Sequence, residues 1–322
     1  MIKRRIILTG GVAAAATLAA PAVWAAYPDR PIRFICPFPA GGVADGIVRS
    51  ISTQLGEKLG VTVVVDNRPG ASTLIGAEFV KAAKPDGYTL MLGTSSMNML
   101  VLRKQGTTVD SRKDLDQVIA YAESEYGFFA NPAAPFKTLP EMIEYAKANP
   151  DKVTVGNTGT GTTPHLIVEY LNIAAGIKTT SVPYKGGAPM AVGLMGGEIM
   201  MGCDAMGSTN PLIREGRIRL LATTGTGRSK VFPAVPAANE AVPNFVVRGL
   251  SGILTSPGTP KEIIGQINAA MLAVMAMPEV RERFEKISLN PITTTPAQYR
   301  QLTIDEVATW SRVVKEAGVV IE

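Results

Sequence analysis

The apolar run Phe34-Ile35-Cys36 reads as a strand, and at Pro37 it has to end. Pro37 and Pro39 carry no amide hydrogen, so the stretch cannot go on pairing inside a sheet. Ala40, Gly41 and Gly42 follow, and a helical pattern takes over near Asp45. A strand that passes through a proline- and glycine-rich turn into a helix is the opening unit of an α/β fold. The turn also has a chemistry. The amides of Ala40, Gly41 and Gly42 can point one way at the positive end of the helix, where an anion, most simply a carboxylate, fits. A side chain at Gly41 or Gly42 would hold such a ligand off the backbone. The same turn equally suits a plain strand-to-helix junction with nothing bound.

The pattern recurs along the chain. After Asp45, the residues Ile47, Ile51, Leu55 and Leu59 fall four apart on one helix face. Asp45 can cap that helix and pair with Arg49 one turn on, a structural role, since a carboxylate would repel a bound anion. A strand over Val61 to Asp66, the turn Asn67-Arg68-Pro69-Gly70, a helix from Thr73 to Ala83, the turn Pro85-Asp86-Gly87 and a strand from Tyr88 to Gly93 complete a β-α-β-α-β run. Residues from Asp114 to Asn131 read as a crossing segment into a second α/β set. There, strands at Val153 to Gly156, Thr180 to Pro183 and Ile199 to Asp204 alternate with helices. The strand Leu250 to Thr255 leads to three helices, ending at Pro296 to Glu316, that should fold back onto the first unit. The expected fold class is α/β in two domains, each a mainly parallel sheet flanked by helices. The boundaries are 26–122 with 250–322 for the first domain, and 123–249 for the second. A chain of 322 residues lies where one core gives way to two.

Residues 1–25 stand apart as an export signal. Lys3-Arg4-Arg5 precedes a mildly apolar run from Ile6 to Ala20, and the small residues around Val23-Trp24-Ala25 suit cleavage. Arg4-Arg5-Ile6-Ile7-Leu8 fits a twin-arginine signal loosely, and general secretion is equally open. Removing this stretch, which holds Lys3, Arg4, Arg5 and no acid, lowers the formal net charge from +5 to +2. No basic run interleaved with aromatics follows it, so nucleic acid is not implied as a partner. Cys36 and Cys203 lie in apolar runs and read as small buried hydrophobes, although a bridge is open to them in an oxidising compartment.

In open α/β sheets ligands sit beyond the carboxyl ends of strands, which selects four loops. These are Phe38 to Asp45, Thr94-Ser95-Ser96-Met97, Asn157 to His165, and Asp204-Ala205-Met206-Gly207-Ser208. The third combines glycines with Thr158, Thr160, Thr162 and Thr163 ahead of a helix: a second amide- and hydroxyl-rich end, or a capping loop. None of the four contains lysine or arginine, and Phe38, Met97 and Met206 would offer apolar surface to a ligand's body. Asp204 disfavours a tightly packed polyanion, so the favoured ligand is a carboxylate with a flat or apolar body, including aromatic ones, over citrate. His165 is the only histidine, a residue that more often stabilises a helix start than acts as a base. Phosphate-loop, nucleophile-elbow, C-x-x-C and zinc-helix signatures are absent, and no cofactor or metal is expected. A binding protein is favoured over an enzyme.

The residues that carry a family resemblance run through the whole mature chain. They are Tyr27 to Arg33, Pro37-Phe38-Pro39-Ala40-Gly41-Gly42 with Asp45, Asp66 to Ala71, and Pro85 to Leu90. Further on come Gly159-x-Gly161-Thr162 with His165-Leu166, Val182 to Gly186, Leu220 to Thr224, and Val314 to Gly318. With these the sequence resembles the solute receptors of tripartite tricarboxylate transporters, often called Bug proteins, of the bacterial periplasm. The resemblance implies a two-domain periplasmic-binding-protein fold of the Venus flytrap kind, type II-like. It implies capture of a small carboxylate through backbone amides and bridging waters, and delivery to integral-membrane transporter subunits by a monomer. It places contacts at Phe38, Ala40, Gly41 and Gly42 in the first domain and at Gly159, Gly161, Thr162 and Thr163 in the second. Asp204 would bind an ammonium, a hydroxyl or ordered water. Cys203 stands where the family often has an aromatic residue, Cys36 where it has a branched aliphatic, and the threonines where it has serines. The candidate ligand set is completed by Thr94, Ser95, Thr158 and Met206 from the four loops. The competing functions are a periplasmic enzyme acting on a small carboxylate with His165, and a receptor that presents its ligand to a membrane sensor.

The signal reading predicts that N-terminal sequencing of exported protein will begin near Ala26. Periplasmic material that starts at residue 1 would refute cleavage.

Overall fold

The computed structural model describes residues 27–41 and 43–321, so the expected export signal and Gly42 lie outside the described residues. In chain order the first elements are β1 (Ile32–Cys36), α1 (Val43–Leu59), β2 (Val63–Asn67), α2 (Leu74–Lys81), β3 (Thr89–Thr94), α3 (Ser95–Asn98) and β4 (Asp116–Ala130). Next come α4 (Leu139–Ala148), β5 (Thr154–Asn157), α5 (Thr163–Ala175), β6 (Thr180–Pro183), α6 (Gly187–Gly196), β7 (Met201–Ala205), α7 (Met206–Arg214) and β8 (Arg219–Thr223). The chain closes with β9 (Arg248–Thr255), α8 (Lys261–Met275), α9 (Pro278–Lys286), β10 (Leu289–Pro291) and α10 (Pro296–Ala317).

The strands follow the order β2-β1-β3-β9-β4-β7-β5-β6, with β8 and β10 also paired to β4. The parallel pairs expected from the β-α-β pattern are those at the outer ends: β1 with β2 and β3, and β5 with β6 and β7. The centre is antiparallel, because β9 and β4 run between the two halves in opposite senses with no crossover helix of their own. The second set of strands is therefore not a separate sheet. It is joined to the first through β4, which spans fifteen residues and pairs with β9 and β10 along one part and with β7 and β8 along the other. The β4–β9 ladder carries two register shifts, between Gln117 and Ile119 and between Ala120 and Ala122, both in the part that pairs with the first half.

Each half has its own cores. Ile51 and Leu55 of α1 are fully buried with Phe34, Leu90 and Met271, while Ile47 and Leu59 pack at the edge of that cluster. In the second half, Leu166 and Leu171 of α5 pack with Phe128, Phe136 and Phe245. α10 serves both. Its N-terminus is closed by a capping box in which Thr295 Oγ1 accepts from the Gln298 amide and Gln298 Oε1 accepts from the Thr295 amide. Tyr299 then enters a core of the first half, and Trp310 and Val313 enter the main core of the second. Among the described residues no single helix is long and apolar enough to cross a membrane. Cys36 and Cys203 are both buried and free.

Tyr299 can seat on the sheet because Gly93 and Gly252 are register partners beneath it. A Cβ at Gly252 would stand 2.5 Å from the Tyr299 ring and 2.6 Å from the Ile119 carbonyl oxygen. Gly252→Ala should therefore cost about 1–3 kcal/mol through overpacking, read as a lower urea midpoint at unchanged slope. An unchanged midpoint would mean that the seat of α10 is not tight.

Candidate functional site

The carboxyl ends of the outer parallel strands meet around a cavity of about 550 Å³. The turn after β1 contributes Pro37, Phe38 and Pro39, and the turn after β2 contributes Pro69, Gly70, Ser72 and Thr73. From the second half, the β5–α5 junction supplies Thr158 and Gly161 to Pro164, and the end of β7 supplies Asp204 and Ala205. Ser96 and Tyr126 complete the lining. No lysine, arginine or histidine lies among these described residues, and Asp204 is their one acid.

Three local devices shape the walls. Asp45 accepts from the Gly41 amide at 2.9 Å and from Arg49 Nε at 2.9 Å through one oxygen, and from Asn67 Nδ2 at 2.8 Å through the other. Asn67 Nδ2 also donates to the Phe38 carbonyl at 3.0 Å, so one side chain ties the turn after β1 to β2. The Arg49 guanidinium, helped by the Gly41 amide and Asn67, holds the Asp45 carboxyl down to about 2. The second device is a left-handed turn. Gly70, Ala71, Ser72 and Thr73 have φ of 126°, 44°, 53° and 82°. That is affordable for glycine but strained for the three residues with side chains, above all for β-branched Thr73. The Thr73 hydroxyl is buried there without a hydrogen-bond partner.

The third device is the threonine-rich loop. Asn157 Oδ1 accepts from the Gly159 amide at 3.0 Å, and Thr162 Oγ1 donates to the Gly159 carbonyl at 2.7 Å. His165 Nδ1 accepts from the Gly161 amide at 3.1 Å, which places the ring proton on Nε2, 3.7 Å from Glu169. Burial pushes the His165 pKa below its ordinary value, and the neutral ring acts as a clamp on the loop.

Of the residues selected from sequence, Phe38, Thr158, Gly161, Thr162, Thr163 and Asp204 line this cavity. Thr94 and Ser95 line an adjoining chamber. Ala40 and Gly41 are exposed and do not line either space, and the Gly41 amide is engaged by Asp45. Gly159 has its amide turned to Asn157 rather than to the cavity. Met206 and Met97 are buried in cores, Met206 with Phe129 and Met190, Met97 with Tyr299, so neither offers the cavity its surface. Sequence reasoning passed over the strained turn after β2, whose left-handed residues carry no glycine signature beyond Gly70, and Tyr126, hidden inside a long apolar strand. Among the described residues no group of three or more His, Cys, Asp or Glu could hold a metal ion.

Residues 47–319 match the model of the tripartite tricarboxylate transporter family receptor. The chain is 33% identical over 318 residues to protein BugT of Bordetella pertussis, covering 98% of each. It superposes on an R. palustris protein solved with adipate at TM-score 0.82 and 30% identity, covering 92% of this chain and all of that one. With MatC from Rhodopseudomonas palustris, solved with bound malate, the TM-score is 0.77 at 28% identity, covering 89% of this chain and all of that one.

Because Asp45 is held near 2, against about 3.9 when unfolded, its contribution to stability is full above about pH 4 and disappears as pH falls through about 2. Between those values the unfolding free energy of Asp45→Asn should fall less steeply than that of the parent protein. Parallel slopes would mean that the carboxylate does not hold the turn.

Proposed function

The chain belongs to the family of tripartite tricarboxylate transporter receptors, and from that premise we propose that it captures a small carboxylate between two domains in the periplasm and hands it to the membrane subunits of such a transporter. The domains are residues 26–122 with 250–322, and 123–249, after removal of the signal near Ala25. The observation that carries the reading is the cavity itself: strand ends and turns of both halves converge on it, lined by hydroxyls and backbone but by no basic side chain among the described residues.

Such a lining holds a carboxylate by directed donors instead of a counter-charge. Each hydrogen bond to an ionised oxygen contributes about 1.5–3 kcal/mol, and the positive end of α5, whose first residues line the cavity, favours the same sign. Two features of relatives point the same way, adipate in one neighbour and malate in another. The absence of a paired cation and the presence of Asp204 favour a ligand with modest negative charge over a compact tricarboxylate. His165 has its Nδ1 engaged by Gly161, which leaves it no free basic nitrogen for chemistry. Closure follows from ligand contacts to both halves, since a ligand shifts the open–closed balance only by its differential affinity for the two states.

A thermal-shift panel of aromatic and aliphatic mono- and dicarboxylates, tricarboxylates, amino acids and sugars tests this. A true ligand at about a hundred times its dissociation constant adds about 2.7 kcal/mol of stability. Protection by sugars or cationic amino acids alone would overturn the carboxylate reading. Protection by citrate alone would keep the anion site and remove the preference for modest charge.

A further inference from the structure

With Met97 and Met206 turned into cores, apolar surface near the cavity is found elsewhere, in a second chamber of about 310 Å³. The two spaces meet at Phe38, Ser96, Tyr126 and Ala205, which line both. Phe38, Ala44, Ile47 and Ile287 give the chamber its character. All four are half-buried residues packed at the edge of the first-half core that holds Ile51, Leu55 and Phe284. They come from the turn after β1, from α1 and from the end of α9, and the fold brings them together around one space. Gly207 of α7 lines it from the second half, and a Cβ there would stand 2.8 Å from the Ile287 carbonyl oxygen, so the halves touch at this chamber.

Much of the polar character of the lining is spent within the walls. Thr94 Oγ1, Tyr121 OH and Glu125 Oε2 are closed to solvent and add no polar surface to the space. Glu125 Oε1 accepts from Asn290 Nδ2 at 2.9 Å, and these two residues also line an outer pocket with Arg228, Lys230, Arg248 and Arg281. Ser95 Oγ accepts from the Leu250 amide at 2.8 Å, and Ser288 Oγ accepts from Asn210 Nδ2 at 3.1 Å. Ser96, Ser124 and Ser251 add hydroxyls to a mostly apolar wall, a mixture usual in pockets for small organic ligands.

We propose that this chamber is a tail subsite, so that the receptor takes a carboxylate whose hydrocarbon body runs past Phe38 and Tyr126 and ends against Ala44, Ile47 and Ile287. The proposal rests on the carboxylate-receptor reading and names the ligand class more narrowly. The physical reason is the incomplete cover of the first-half core. Ordered water holds its place with about two to four polar partners, which an apolar wall does not supply, whereas hydrocarbon placed there removes apolar surface of both ligand and protein from water. A charged end in the same place would lose its hydration. A tail seated between α1 and α7 also touches both halves, and so favours the closed state over the open one.

Isothermal titration with propionate, butyrate, pentanoate, hexanoate and adipate tests this. Each methylene added from propionate to hexanoate should tighten binding about threefold to fourfold, with an increasingly negative heat-capacity change as apolar surface is buried. The readout in variants is the ratio of hexanoate to propionate affinity, which a uniform loss of binding leaves alone. Ile47→Trp, which fills the chamber from α1, and Ile287→Asn, which makes the facing wall polar, should each lower that ratio about fivefold or more. A parent ratio near one, a ratio unchanged in both variants, or adipate bound more tightly than hexanoate overturns the tail subsite and leaves the carboxylate reading standing. Failure of every carboxylate, propionate included, overturns both.

Discussion

The backbone ladder of β4 holds the molecule together. It pairs with β9 and β10 in one half and with β7 and β8 in the other, so it has a strand on both sides from Ala122 to Ser124 and again from Gly127 to Ala130. A continuous hydrogen-bonded strand transmits orientation as a loop cannot, and it fixes where the carboxyl ends of β1, β3, β5 and β7 point. The cavity exists because those ends converge, and β4 passes close enough for Tyr126 to join its lining. α10 braces the arrangement from outside, with Tyr299 in one core and Trp310 in another.

Among the described residues the cavity lining carries little charge, Asp204 alone. The carboxylate at its mouth, Asp45, is consumed in shaping the turn through Gly41, Arg49 and Asn67. The histidine at the threonine-rich loop clamps Gly161. Both of the residue types that most often suggest chemistry are thus structural here, and what remains in the cavity lining is backbone, hydroxyls, Asp204 and the rings of Phe38 and Tyr126. Selectivity in such a site comes from geometry and from what is left unpaired, more than from net attraction.

Much of this was legible in the sequence for a physical reason: periodicity and turn residues are local signals. The four-residue spacing of Ile51 and Leu55 located the buried face of α1, and the threonine-rich loop, read as leading into a helix, located the start of α5. The antiparallel centre was not legible, since nothing local tells a strand which neighbour it will meet. α7 was missed because Gly207, Ser208 and Pro211 lower its helix propensity, and β10 because three residues carry no period. The site was half visible. Loops at strand ends could be named, but whether an amide faces the ligand or a neighbouring side chain, as at Gly41 and Gly159, depends on contacts that the sequence does not order.

The left-handed turn at Ala71, Ser72 and Thr73 sets two selective pressures against each other. Glycine or asparagine at these positions would relieve a conformation that costs residues with a Cβ about 1–2 kcal/mol each, and a search for thermostable variants would converge on them. Yet Ser72 and Thr73 line the cavity. A lineage that optimised robustness here would blunt its own discrimination. Three residues with a Cβ held in a backbone suited to glycine thus trade local strain for the shape of the cavity wall.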